Sequence, residues 1–129
     1  MSKIDPIIAV KNVAASSKWY QSILACKSMH GGNEFDILVD ENNQVLLCLH
    51  QWSAHGHPTM LNPDIPRGNG LILYFRTANM NFIRTRVAEL GISVEEEIHL
   101  NPNSTKLEFS LRDPDGYFLT ITEYHVYEG

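Results

Sequence analysis

The chain has 129 residues, an apolar fraction of 43% and a formal net charge of −5, which suits a compact globular unit with a sizeable core. No basic run invites nucleic acid, and no apolar stretch approaches the roughly 20 residues that a membrane-spanning helix needs. Two cysteines, Cys26 and Cys48, make no disulfide framework, and the start MSKIDP lacks the apolar core of a signal peptide, so the expected setting is a reducing cytoplasm.

Ile4–Val10 is apolar and β-branched and reads as a strand. Pro6 cannot donate to a ladder, so it belongs early or on an edge. Asn12 is suited to cap a helix over Val13–Leu24, with Tyr20, Ile23 and Leu24 on its inner face and Trp19 flanking. A short strand follows near Lys27–His30, and Gly31-Gly32-Asn33 turns the chain. Phe35–Val39 and Val45–His50 form two more strands, joined by the polar turn Asp40-Glu41-Asn42-Asn43. Gln51–Asn69 then breaks the pattern with Gly56, Pro58, Pro63, Pro66 and Gly68. A connection this long is a linker or a functional flap.

The order then repeats. Gly70–Thr77 is a strand, and Asn79 caps a helix with Met80, Ile83, Val87 and Leu90 on one face. Gly91 ends that helix in the left-handed region. Ile92–Leu100 begins with an extended segment, and Asn101-Pro102-Asn103 turns. In Leu107–Arg112, Leu107, Phe109 and Leu111 alternate with Glu108, Ser110 and Arg112, which marks one dry face and one wet face. Asp113-Pro114-Asp115-Gly116 is a tight turn, and Tyr117–Glu123 alternates again, with Phe118, Thr120 and Thr122 on one side. Asn12 and Asn79 lie 67 residues apart, and Leu24 and Leu90 lie 66 apart. Such offsets argue for an internal duplication of a β-α-β-β-β unit.

The strand-Asn-helix opening that runs into Trp19-Tyr20…Leu24, with a second unit ending in Arg112-Asp113-Pro114-Asp115-Gly116-Tyr117, resembles the vicinal oxygen chelate superfamily of glyoxalases, bleomycin-resistance proteins and extradiol dioxygenases. The resemblance spans Ile4 to Glu123. It implies an α+β fold in which two βαβββ modules form a cup-shaped, eight-stranded mixed sheet with helices on the outer face. One domain would cover residues 1–129: module one at about 4–50, a connecting flap at 51–69 and module two at about 70–125. Members commonly form homodimers. Where members have Gly after the helix-ending Leu, this chain has Ala25.

Metal-dependent members place His, Gln or Glu at matched positions on four strands, because an ion that polarises an enediolate or diol needs hard N and O donors. Carried over position by position, those slots fall on Asp5, Cys48, Ile72 and Thr120. Ile72 cannot bind an ion and Thr120 is a poor ligand, so no cofactor is expected at that centre. His55 and His57 offer a weaker alternative, a displaced divalent metal that needs a third ligand such as His99 or Glu108.

Strand parity gives the expected lining: Asp5, Ile7, Cys48, His50, Tyr74, Arg76, Glu108, Phe118 and Thr120, with Trp52 as a lid or anchor and His55 and His57 on a flap. Arg112 is expected to staple the turn through Asp113 or Asp115, and Glu108 to pair with Arg76. Two functional classes follow. One is a metal-free protein of the bleomycin-resistance type that binds a small organic molecule. The other is a lyase, isomerase or dioxygenase-type enzyme of the same superfamily, using Glu108 or His50 as base or the displaced metal. A purely structural or regulatory module is the third possibility, with no residue that speaks for it.

Overall fold

The computed structural model describes residues 3–66 and 68–126. The chain divides into two compact units, Met1–Pro66 and Arg67–Gly129. Among the described residues, each contains a four-stranded mixed sheet and one α-helix, an α+β composition built from two βαβββ modules. The expected flap includes Arg67, which lies outside the described residues.

In the first unit, β1 (Ile7–Val10) leads into α1 (Val13–Leu24). Asn12 has extended backbone angles and its Oδ1 accepts from Ala15 N at 2.9 Å, which satisfies one of the free donors at the helix start. Val13, Ser17, Tyr20 and Ile23 are buried at helical spacing; Leu24 is only half-buried. Trp19 meets Tyr20 edge-on with centroids 4.9 Å apart. Ala25 ends the helix at φ 53, the left-handed geometry that a glycine adopts without cost.

Strands β2 (Lys27–Ser28), β3 (Phe35–Val39) and β4 (Val45–Gln51) complete the sheet, in the order β1-β4-β3-β2. β2 is two residues shorter than expected, because the chain turns away into Gly31 and Gly32, both at positive φ. β1 runs parallel to β4, and β3 antiparallel to it. Ile8, Val10, Leu38, Leu47 and Leu49 are buried on one face. Asp36 shares that face and takes a 2.6 Å hydrogen bond from Ser17 Oγ of α1.

The second unit repeats the plan with β5 (Leu73–Thr77), α2 (Met80–Glu89), β6 (Glu96–Leu100), β7 (Leu107–Arg112) and β8 (Phe118–Glu123), in the order β5-β8-β7-β6. Again the first strand lies parallel to the last. Asn79 stands at the N-cap but makes no side-chain cap bond. Its ψ of 33 departs from the extended geometry of Asn12, where ψ is 103. Met80, Ile83 and Val87 are buried, whereas Leu90 is 41% exposed because the helix has already ended at Glu89. The alternation in β7 does not mark a wet face: Glu108, Ser110, Thr120 and Thr122 are all buried. Their polar groups find internal partners, such as Ser110 Oγ with Thr120 Oγ1 at 2.9 Å.

Among the described residues no helix is long and apolar enough to cross a membrane.

Candidate functional site

In the first unit the register decides which side chains meet. Ile7 pairs with Cys48 and Ala9 with His50 across the parallel ladder. Phe35 pairs with His50 and Ile37 with Cys48 across the antiparallel one. Paired residues share a face, so Ile7, Phe35, Cys48 and His50 stand opposite the side that packs on α1.

The segment after β4 folds back onto this face. Ser53 N donates to Met60 O at 2.6 Å, closing a loop that contains two short 3-10 turns, Ala54–Gly56 and Pro58–Met60. The imidazoles of His55 and His57 come to 5.5 and 4.9 Å from that of His50, measured between ring centroids. His30 packs edge-on against Phe35 at 5.4 Å. Glu34 Oε2 lies 3.2 Å from His55 Nε2. Together with Ile7 and Asn33 these groups line a pocket of about 600 Å³, within the size range of small-molecule sites.

Of the residues anticipated for a ligand site, Ile7, His50, His55 and His57 line this pocket. Cys48 is on the same face and 5% exposed. Burial, then the charges of Asp5 and Asp36, push its thiol above the ordinary range. Asp5 itself is exposed and precedes β1. Trp52 is half-buried in the turn after β4.

The second unit gathers the rest. Tyr74 pairs with Thr120 and Arg76 with Thr122; Glu108 pairs with Thr122 and Arg112 with Phe118. All of these therefore share one face of the second sheet. Glu108 does not pair with Arg76. Its Oε1 accepts from Asn101 Nδ2 at 3.0 Å and its Oε2 lies 3.8 Å from His99 Nε2, while Arg76 donates to His125 O at 2.7 Å. β6 brings His99 directly opposite Glu108, so the neighbouring strand supplies the partner. Arg112 does staple the turn, through Gly116 O at 3.0 Å, but its carboxylate partner is Glu95 rather than Asp113 or Asp115. A second pocket, of about 710 Å³, is lined by Tyr74, Asn101, Ser104, Lys106 and His125 among others.

His30, Glu34 and Phe35 were not anticipated. Phe35 was within reach: alternation on either side of the Asp40–Gln44 turn puts it opposite His50. His30 and Glu34 flank a glycine turn whose path no periodicity fixes.

The four slots at which an ion would sit follow the duplication closely. Ile7 opposite Cys48 recurs as Tyr74 opposite Thr120, and Asp5 and Ile72 lie two residues before those partners. The residues do not fit an ion. Ile72 has no donor atom and is 58% exposed ahead of β5, and the Thr120 hydroxyl is engaged by Ser110, which leaves only the Asp5 carboxylate and the Cys48 thiol as donors. Among the described residues no group of three His, Cys, Asp or Glu side chains is arranged to hold a metal ion.

Two βαβββ units, each with its first strand parallel to its last, define the vicinal oxygen chelate fold. Solved structures agree. A glyoxylase/bleomycin resistance protein/dioxygenase domain from Frankia sp. EAN1pec is 18% identical, with a TM-score of 0.69 over 99% of this chain and 96% of that one. A lactoylglutathione lyase from Agrobacterium tumefaciens is 19% identical, with a TM-score of 0.67 over 95% and 92%. An integron cassette protein from the mobile metagenome of V. cholerae is 22% identical, with a TM-score of 0.72 over 97% of both chains. At these identities the likeness is one of fold, and the fold hosts many activities. No family model and no curated protein matches the chain.

Proposed function

We propose that the protein is a glyoxalase/bleomycin-resistance-like binder of a small organic molecule, held in a concave pocket without a metal. The observation that carries this reading is the chemistry of the ligand slots: one carboxylate and one thiol, beside an isoleucine and an engaged threonine, are too few donors to hold and activate an ion. Beside Cys48 the same sheet face offers the histidine-lined pocket, with Phe35 and Ile7 as apolar surface. An apolar wall with a few directional polar groups is how small-molecule sites are made.

The test is a titration of small aromatic compounds followed by nuclear magnetic resonance. Saturable shifts confined to residues around His30, Phe35 and His50 are expected. Shifts that scatter over the surface without saturation defeat the proposal.

A second reading is favoured by one contact. His50 Nδ1 lies 2.8 Å from Gln51 O, which leaves Nε2 free to take a proton. In a metal-free lyase or isomerase that nitrogen is the base. Turnover abolished by His50→Gln, with ligand affinity kept, separates this reading from binding alone.

A further inference from the structure

The pocket of the first unit has a hydrogen-bonding polarity that follows from its tautomers. A carbonyl or a carboxylate only accepts, so a ring nitrogen bonded to one carries the proton. His50 Nδ1 faces Gln51 O at 2.8 Å, and the neutral ring keeps a bare lone pair on Nε2. His30 repeats the arrangement: Nδ1 faces Phe35 O at 3.1 Å and Nε2 is bare. His55 Nε2 lies 3.2 Å from Glu34 Oε2 as an ion-pair contact without hydrogen-bond geometry, so this ring's tautomer is not set by it. His50 is only 4% exposed and its Nε2 has no hydrogen-bond partner among the described residues, yet that atom is not sealed off from solvent. Its opening is the pocket that His50 lines.

Two fixed acceptor nitrogens, on His30 and His50, and one carboxylate thus stand around an apolar floor, and no Lys or Arg among the described residues lines the pocket. An anion entering here meets the Glu34 charge and the two lone pairs, with side-chain N–H donors from Asn33 and from His57 and His55, whose tautomers no hydrogen bond sets. A cation with N–H donors meets acceptors that replace its lost water. The His50, His55 and His57 rings stand 4.9 to 6.3 Å apart, a spacing that suits a broad, planar, multi-donor head rather than a point charge.

We propose that this pocket selects organic cations: an amidinium or ammonium whose N–H groups meet the bare imidazole nitrogens and the Glu34 carboxylate, on an aromatic or aliphatic body that packs against Phe35 and Ile7. The proposal rests on the reading of the pocket as a small-molecule site and names its ligand class.

The test uses three probes of one shape and different head charge, benzamidine, benzyl alcohol and benzoate. They are titrated by calorimetry and histidine side-chain resonances at about pH 8, above the ordinary imidazole range. Benzamidine binds at least ~10-fold more tightly than benzyl alcohol, and benzoate binds most weakly. Glu34→Gln weakens benzamidine ~3- to 10-fold and leaves benzyl alcohol unchanged. His30→Phe keeps a ring against Phe35, removes an acceptor and weakens benzamidine several-fold. Benzoate or benzyl alcohol binding as tightly as benzamidine overturns the cation assignment and leaves the pocket a ligand site. No shift of the histidine resonances with any probe overturns both. Zinc that displaces benzamidine at one equivalent also overturns the assignment, by making the pocket a metal site.

Discussion

Asp40 and Asp113 occupy the same place in two turns made from the same bonds. Asp40 Oδ1 accepts from Asn42 N at 2.8 Å and Gln44 N at 2.9 Å; Asp113 Oδ1 accepts from Asp115 N and Tyr117 N, both at 2.9 Å. Each aspartate donates its own N–H across the turn, to Gln44 O and to Tyr117 O. The residue taking positive φ is Asn43 in one and Gly116 in the other. The two turns, DENNQ and DPDGY, share only their aspartate. A carboxylate that satisfies two turn donors is the feature both copies keep.

The turns differ in burial, and that sets the expected size of their loss. Asp113 is 5% exposed and its bond to Tyr117 N is buried, whereas the bonds of Asp40 are exposed. Asp113→Ala should destabilise by about 2 kcal/mol and Asp40→Ala by about 1, because water replaces the lost acceptor only where it reaches. Asparagine at either position keeps an acceptor and restores most of the loss. Urea unfolding of the four variants reads this directly. Equal losses for the two alanines would contradict the burial argument.

Asp36 gives the first unit a pH dependence whose sign is fixed. Burial alone would raise its pKa. Hydrogen bonds from Ser17, Ser28, Gly31 N and Ile37 N outweigh burial and hold the carboxyl below its ordinary value. A folded pKa below the unfolded one means that the contribution to stability is complete above about pH 3.9 and fades as pH falls through the folded value. Asp36→Asn, compared with wild type at neutral pH and below about pH 3, should show a stability gap that closes in acid. A gap that stays constant, or widens, sinks the argument.

How much of this the sequence carried depends on the kind of signal. Elements with strong periodicity are legible: Val13–Leu24, Phe35–Val39 and Leu107–Arg112 have the bounds that alternation and caps imply. The duplication is legible because apolar spacing repeats even where identities do not. Failures cluster where one residue has two possible partners. Arg112 takes Glu95, and Glu108 takes His99 and Asn101, since register and loop path choose among candidates that charge alone cannot rank. The pocket was half legible. Parity brought His50 and Ile7 to one face, whereas the approach of His55 and His57 depends on a loop closed by one backbone bond, Ser53 N to Met60 O, that leaves no pattern in the residues.

Ala25 is a place where the chain departs from good local chemistry. It is exposed, at φ 53 and ψ 27, and an L-residue there loses on the order of 1 kcal/mol relative to glycine. Ala25→Gly is therefore expected to raise stability by roughly 0.5 to 1 kcal/mol, the relief of strain exceeding the added freedom of the unfolded chain. The denaturation midpoint measures it, and an unchanged or lower midpoint counts against strain at this residue.

The two thiols should be almost inert in the folded protein. Cys26 and Cys48 are both free and buried. Burial, opposed by a backbone hydrogen bond and helped by the Asp36 charge, pushes Cys26 up to about 11; burial and the charges of Asp5 and Asp36 push Cys48 up as well. The thiolate is the reactive species, so at neutral pH each side chain is both hidden and protonated. Ellman's reagent should label neither at an appreciable rate in native protein and both within the mixing time in strong denaturant. The two effects separate in Asp5→Asn, which removes one of the charges acting on Cys48 and leaves Cys26 without that change. If the charge matters beyond burial, Cys48 alone labels faster in that variant, by a few-fold at most because burial remains the larger cause. Native Cys48 labelling at the rate of a free thiol would show instead that the sheet face is open at Cys48.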